Sequence, residues 1–369
     1  IIVAAIFEFA GAFLAGGHVT DTVRKGMLDM SLLSREQLIY GMMASLASAG
    51  TLLIGATRFG LPISTTHSIV GAIVGFGAVA IGIDAVNWPK VLQISLSWIT
   101  SPLLAGVIAF AIFHLIRSTI LNKSNPVHQI RKYGPAFFFF VFFIIGLVTL
   151  FKGLKHINLD LDLMEALAGS VALGLIGSGI GAFFIRRVQI GEADPDHRFD
   201  QVERIFVVLQ ILTACAIAFA HGSNDVANAI GPLAAIVNAV ENVDLTAKAP
   251  VAPWMLAIGG LGIVIGLATW GYRVMETVGK KITELTPSRG FAAQLAAAST
   301  IVLASRLGIP ISTTHTLVGA VLGVGLARGI TALDLRVVGN ILASWIATLP
   351  IAAALSVFFY YFFKGLLTA

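Results

Sequence analysis

Long apolar runs alternate with short polar connections along the whole chain. Residues 1–16 are apolar except for Glu8, and a Gly-rich polar stretch, 16–26, follows. Runs over 38–57, 68–83, 92–115, 136–151, 163–185, 205–220, 254–270, 291–305, 316–327 and 337–363 each read as an apolar helix. Arg58 ends the run over 38–57, and Pro102 interrupts the run over 92–115. Residues 272–289 read as an amphipathic or loop segment. The phenylalanines at 137–140 read as lipid-facing bulk. The polar connections are 116–133, which is basic, 152–162, 186–204 and 241–250. The most polar is 186–204, with Glu192, Asp194, Asp196 and His197, and it marks the boundary between two halves.

Runs of this length and number suit a bilayer, whose hydrocarbon core needs about 20 apolar residues per helix. Composition agrees. Of the 369 residues, 57% are hydrophobic and 12% charged, against about 25% charged in soluble domains, and mean hydropathy is +0.90. The expectation is an all-α integral membrane protein with about ten to twelve transmembrane helices. A net charge of +5 confined to a few loops argues against nucleic acid. Both basic connections, 116–133 and 186–204, are separated by two spans, and the excess of Lys and Arg places them in the cytoplasm. Cys215 is the single cysteine, so no intrachain disulfide is possible and the redox compartment is unreadable. The sequence opens at Ile1 without Met; its first run leads into polar sequence echoed later, which reads as mature helix and not a cleaved signal.

One phrase occurs twice. Gly60-Leu61-Pro62-Ile63-Ser64-Thr65-Thr66-His67 returns as Gly308-Ile309-Pro310-Ile311-Ser312-Thr313-Thr314-His315, a constant offset of 248 that also relates Arg58 to Arg306 and Val70-Gly71-Ala72 to Val318-Gly319-Ala320. A period of about half the chain means a duplicated half, not a solenoid. Proline followed by hydroxyl residues before an apolar run is a helix start, with Ser or Thr as N-cap. A helix N-terminus carries outward N–H groups and about half a positive charge, so it attracts anions without Lys or Arg. One such copy could simply cap a helix; two copies in apolar surroundings favour a shared anion site.

The second polar constellation is Asn224-Asp225-Val226-Ala227-Asn228, between Gly222 and Gly231. The glycines suggest a broken helix, tolerated at membrane depth only beside a cavity or inside protein. A buried Asp there is costly and is a functional candidate; the alternative is a cap at the water interface. Aligning Val19 with Val226 sets Thr20, Asp21 and Thr22 opposite Ala227, Asn228 and Ala229, so each half keeps a carboxylate. Carboxylate, amide and hydroxyl oxygens are hard ligands for a small cation. His67 and His315 have no neighbouring ligand spacing, which disfavours a catalytic metal. Gln93 with Asn340, and Ser97 with Ser344, pair between the halves; together with Thr20 they line an ion path or bond neighbouring helices. Glu8 is a proton or cation site, or faces a polar loop. No nucleotide-binding or nucleophile motif appears, so the chain reads as no enzyme and without a cofactor.

The stretch Ala220-His221-Gly222-Ser223-Asn224-Asp225-Val226-Ala227-Asn228-Ala229-Ile230-Gly231-Pro232-Leu233 resembles the signature of the inorganic phosphate transporter family, and the paired Pro-x-Ser-Thr-Thr-His phrases resemble the rest of its pattern. Residues 17–22 depart from the Gly-Ala-Asn-Asp-like phrase of many members. The resemblance implies a multi-pass cell-membrane symporter importing phosphate with sodium, less readily protons, as a homodimer. It also implies two inverted repeats, 1–133 and 205–369, joined by connecting helices over 134–204, with broken or re-entrant helices. By this resemblance Thr22, Ser64, Thr65, Thr66, Asn228, Ser312, Thr313 and Thr314 contact phosphate, while Asp21, Asn224 and Asp225 hold sodium. Membrane lipids would surround it. Another tetrahedral oxyanion such as sulfate, or an anion channel, are the alternatives.

Overall fold

The computed structural model describes residues 1–17, 27–29, 32–150, 161–187, 198–241, 251–306 and 311–367. It is all-α, and the only pairing of extended backbone among the described residues is an isolated bridge between Leu28 and Val86. Thr20, Asp21 and Thr22, and the boundary segment around Asp194, lie outside the described residues.

Helix starts follow local chemistry. After α1 (Ile2–Ala15) comes α2 (Arg35–Arg58), opened by a reciprocal cap in which the Ser34 hydroxyl accepts from Gln37 N–H and the Gln37 side chain accepts from Ser34 N–H. Helix α4 (Trp88–Ile116) opens on Asn87 with proline in its first turn, and α5 (Pro126–Val148) opens on Asn125 in the same way. Each asparagine amide oxygen accepts an N–H that the helix leaves unpaired. The basic connection is therefore shorter than 116–133: Pro126 starts α5, so His128, Arg131 and Lys132 ride on its first turns. Asp162 and Glu165 exchange bonds at the head of α6 (Leu163–Arg187). The start of α9 (Pro287–Arg306) takes a carboxylate from elsewhere, Glu203 accepting from Ser288 N–H at 2.7 Å and Ser288 Oγ at 2.6 Å. Asp334 caps α11 (Leu335–Leu367).

Helix α2 must stop before α3 (Thr65–Ala80), and it does so at Gly60. Gly60 takes φ 69°, donating to Thr57 O, while Leu61 N–H donates to Ala56 O. This doubly bonded turn closes the last carbonyls and needs left-handed backbone, which glycine adopts without penalty. Between α9 and α10 (Thr313–Arg328) the second copy of the phrase lies partly outside the described residues, 307–310.

The other long elements are α7 (Arg198–Glu241) and α8 (Pro253–Gly266), the latter continued by π and α turns to Lys281. The 272–289 segment is thus helical over its first part. Among the described residues seven helices are long and apolar enough to cross a membrane: α2, α4, α5, α6, α7, the α8 run and α11. Helices α3 and α10 have 16 residues each, about 24 Å of rise, short of the ~30 Å hydrocarbon core.

The expected break at Gly222–Gly231 is not there. Helix α7 runs through it without interruption, 44 residues long. Gly222 serves approach instead: a Cβ there would run into the Glu8 carbonyl of α1, and one on Gly11 into the Phe219 carbonyl. Missing side chains let α1 and α7 backbones touch, as in tightly packed membrane helices.

The same device joins the halves crosswise. Helix α3 packs on α11, and α10 packs on α4. A Cβ on Gly71 or Gly75 would strike backbone at Leu349 or Ala353, and one on Gly319 or Gly323 would strike Pro102 or Gly106. The 248 offset of the sequence repeat therefore survives in contact geometry. Elsewhere α5 and α6 form a tight pair whose glycines 174, 177 and 181 accept Phe139, Phe142 and Phe138. The run 137–140 is not uniformly lipid-facing. Phe137 and Phe138 are buried, Phe137 meeting Phe206 and Phe291 at centroid distances of 6.0 and 5.8 Å, and only Phe140 is exposed.

Candidate functional site

Both copies of the repeated phrase build the same helix start. Ser64 is the N-cap of α3, its hydroxyl accepting from His67 N–H at 3.2 Å; Ser312 is the N-cap of α10, accepting from His315 N–H at 3.1 Å. One turn in, Ser68 Oγ donates to Ser64 O and Thr316 Oγ1 to Ser312 O. Among the described residues neither capping serine hydroxyl donates a bond. Thr65 and Thr313, the first residues of their helices, project toward one place.

That place is Asp225, midway along α7. Thr65 Oγ1 donates to Asp225 Oδ2 at 2.7 Å. Thr313 Oγ1 shares its hydrogen between Oδ1 at 3.2 Å and Oδ2 at 3.1 Å. Asn224 Nδ2 donates to Oδ1 at 2.9 Å, and His221 Nε2 stands 3.2 Å from Oδ2. Asn228, one turn on, sends its amide to Thr65 Oγ1 at 3.1 Å and Thr66 Oγ1 at 3.3 Å, and Thr66 reaches Ile311 O at 3.4 Å. The continuous helix makes this possible, since positions 221, 225 and 228 fall on one face. Asp225 and Asn228 are 7% and 8% exposed, so the carboxylate is held by protein donors instead of water. Asn224, 2% exposed, leaves its Oδ1 buried with no hydrogen-bond partner among the described residues. Such an oxygen calls for a cause.

Of the residues expected at the site, Thr65, Thr66, Asn224, Asp225, Asn228 and Thr313 are brought into one hydrogen-bonded cluster. Ser64 and Ser312 sit beside it as caps, and Thr314 is half-buried on the first turn of α10. The second tier is not gathered there. Gln93 is exposed and accepts from Lys90, and Asn340 is exposed. Ser97 and Ser344 bond back to Ile94 O and Ile341 O on their own helices.

Two residues join that the sequence alone did not single out in these roles. His221 bridges two carboxylates: its Nδ1 lies 2.8 Å from Glu8 Oε2 while its Nε2 faces Asp225. The spacing of His221 and Asp225, four apart, is the signal that a continuous helix would have made visible. Glu8 comes from α1, and only the close approach at Gly222 brings it near.

Behind the helix starts sits a paired aromatic cluster. His67 lies against Trp98 at 3.7 Å and edge-on to His315 at 4.2 Å, and His315 stacks on Trp345 at 3.5 Å. Trp345 Nε1 donates to Pro62 O at 3.0 Å, and His315 Nδ1 meets Trp98 O at 3.3 Å. These rings come from α3, α4, α10 and α11, and they hold the two helix starts side by side. No group of three or more His, Cys, Asp or Glu suited to a metal occurs among the described residues.

Chemically, paired helix N-termini bearing threonine hydroxyls suit an oxyanion, and here Thr65 and Thr313 direct those hydroxyls at Asp225 and Thr66 at Ile311 O. One carboxylate and one unpartnered amide oxygen beside them suit a small hard cation. Known proteins resemble this chain over nearly its whole length. Residues 1–356 match the model of the phosphate transporter family. A protein of Haemophilus influenzae named as a phosphate permease is 47% identical over 364 residues, covering 98% of this chain and 87% of that one. One of Pyrococcus abyssi, named likewise, is 45% identical over 357 residues, covering 96% and 86%. A solved structure described as the sodium-dependent phosphate transporter aligns with TM-score 0.89 and 40% identity, over 98% of this chain and 89% of that one. The chain is a multi-pass membrane transporter, not an enzyme, and it belongs to the phosphate transporter family.

Proposed function

We propose that the protein imports inorganic phosphate across the cell membrane by sodium symport. The observation that carries this reading is the meeting of Thr65 and Thr313, from two helix starts, on the single carboxylate of Asp225. In the proposal Ser64, Thr65, Thr66, Asn228, Ser312, Thr313 and Thr314 hold phosphate, with Thr22 from outside the described residues. Asn224 and Asp225 seat sodium, with Asp21 completing the set. The unpartnered Asn224 Oδ1 supports the cation seat, because a hard cation would use that oxygen. Two repeats, 1–133 and 205–369, related by inversion and joined through 134–204, would present the two helix starts to one anion. Opposite charges side by side make joint occupancy cheaper than either alone, and that reciprocity is the coupling. The sodium dependence in the description of the solved relative supports the choice of cation.

Uptake of radiolabelled phosphate into proteoliposomes tests it. A sodium gradient should drive accumulation; a potassium gradient should not, and excess sulfate should compete poorly. Uptake that follows a pH gradient alone would make the proton the partner, and uptake that ignores every cation gradient would make the protein a channel.

A further inference from the structure

The phosphate-binding threonines and the proposed cation ligand are engaged with each other. A hydroxyl carries one hydrogen. Thr65 spends its hydrogen on Asp225 Oδ2, and its oxygen lone pairs face the Asn228 amide; Thr313 spends its hydrogen on both Asp225 oxygens. In this arrangement neither hydroxyl has a hydrogen for an oxyanion. Asp225 in turn is surrounded by donors. Two threonines, the Asn224 amide and the His221 ring occupy the roughly four lone-pair directions of a carboxylate. Glu8, 2.8 Å from the far side of the His221 ring, fixes that ring against it.

Resting on the transport reading above, we infer that the Asp225 carboxylate is a built-in competitor of the substrate anion, sitting at both helix starts and holding the threonine hydrogens that phosphate needs until a cation takes its lone pairs. Phosphate faces two obstacles at this site: absent donors, and the repulsion of a fixed negative charge in a poorly screened interior. A sodium ion against Asp225 and the Asn224 Oδ1 removes both together. It occupies the carboxylate, so the hydroxyls turn outward, and it cancels the charge. Cation binding thus licenses phosphate binding, and slippage of phosphate alone is suppressed by the same residue that seats the cation. The unpartnered Asn224 oxygen is an independent sign that this corner accepts something more than protein donors.

The test measures binding, not transport, on the purified full chain. Radiolabelled phosphate is titrated at fixed pH and ionic strength in sodium or in choline. Wild type should bind at least tenfold more tightly in sodium. Asp225→Asn removes the charge and preserves the shape; it should bind phosphate in choline at least tenfold more tightly than wild type does, with less than twofold stimulation by sodium. A variant that still requires sodium, or that binds phosphate in neither buffer, overturns the inference. Thr313→Val gives a second reading should Asp225→Asn not fold: with one competing donor gone, labelled sodium should bind severalfold more tightly in phosphate-free buffer, and unchanged or weaker binding overturns the idea. Wild type binding phosphate equally in both buffers would sink this inference and leave phosphate recognition standing. Wild type binding none in either would sink the transport reading itself.

Discussion

The starts of α3 and α10 carry the same residues, yet they are wired differently. Ser64 and Ser312 cap with bonds of 3.2 and 3.1 Å, identical in kind. Beyond the caps the symmetry fails. Thr65 makes one short bond to Asp225 and accepts from Asn228, whereas Thr313 spreads one longer bond over two oxygens. Trp345 donates to Pro62 O on the α3 side, while Trp98 Nε1 is buried without a partner among the described residues, which do not include Pro310. The difference arises because both ends meet a single helix, α7, whose polar residues face one end more directly. Duplication supplies matched frames, and an unmatched partner assigns them unequal work.

Mutations should expose that inequality. Thr65→Val removes the hydroxyl that, once released from Asp225, donates to the charged oxyanion, a loss of about 1.5–3 kcal/mol. The half-saturating phosphate concentration for uptake should rise about ten- to a hundredfold. Asn228→Ala strips donors from Thr65 and Thr66 alone, and an increase of about tenfold is expected from one or two neutral bonds. Thr313→Val removes a donor whose divided bond to Asp225 shows it aimed less directly at the site, so about three- to tenfold is expected; an effect equal to or above that of Thr65→Val would erase the distinction between the two ends. The smallest effects belong to the caps. Ser64→Ala and Ser312→Ala should each cost about 1 kcal/mol of stability, read as equal small drops in the thermal midpoint of the purified protein. Unequal drops would show that the asymmetry reaches the caps as well.

Much of this was legible beforehand, for reasons that differ by residue. The helix starts at Ser64 and Ser312 were readable because capping is local: proline, hydroxyl and apolar run lie within a few positions. The crosswise packing could be suspected from Gly71 and Gly319 within the repeat, but which helix each one touches is a tertiary fact. Gly222 misled for a physical reason. A glycine allows a break, and it equally allows a neighbouring backbone to touch, and sequence does not distinguish these uses. Taking α7 as broken hid the four-residue step from His221 to Asp225 and with it the bridge to Glu8. Gln93 and Ser97 match Asn340 and Ser344 by position, yet Gln93 and Asn340 are exposed and Ser97 and Ser344 bond within their own helices, so repetition alone does not gather residues at one place.

The glycine contacts that lock α3 to α11 and α10 to α4 have a mechanical result. Backbone against backbone leaves no flexible side chain to absorb sliding, so each short helix and the long helix it touches shift together. The seams of any rocking motion then run across the duplication, not along it. A tilt of either short helix would carry its long neighbour with it, through contacts that contain no polar atom of the site.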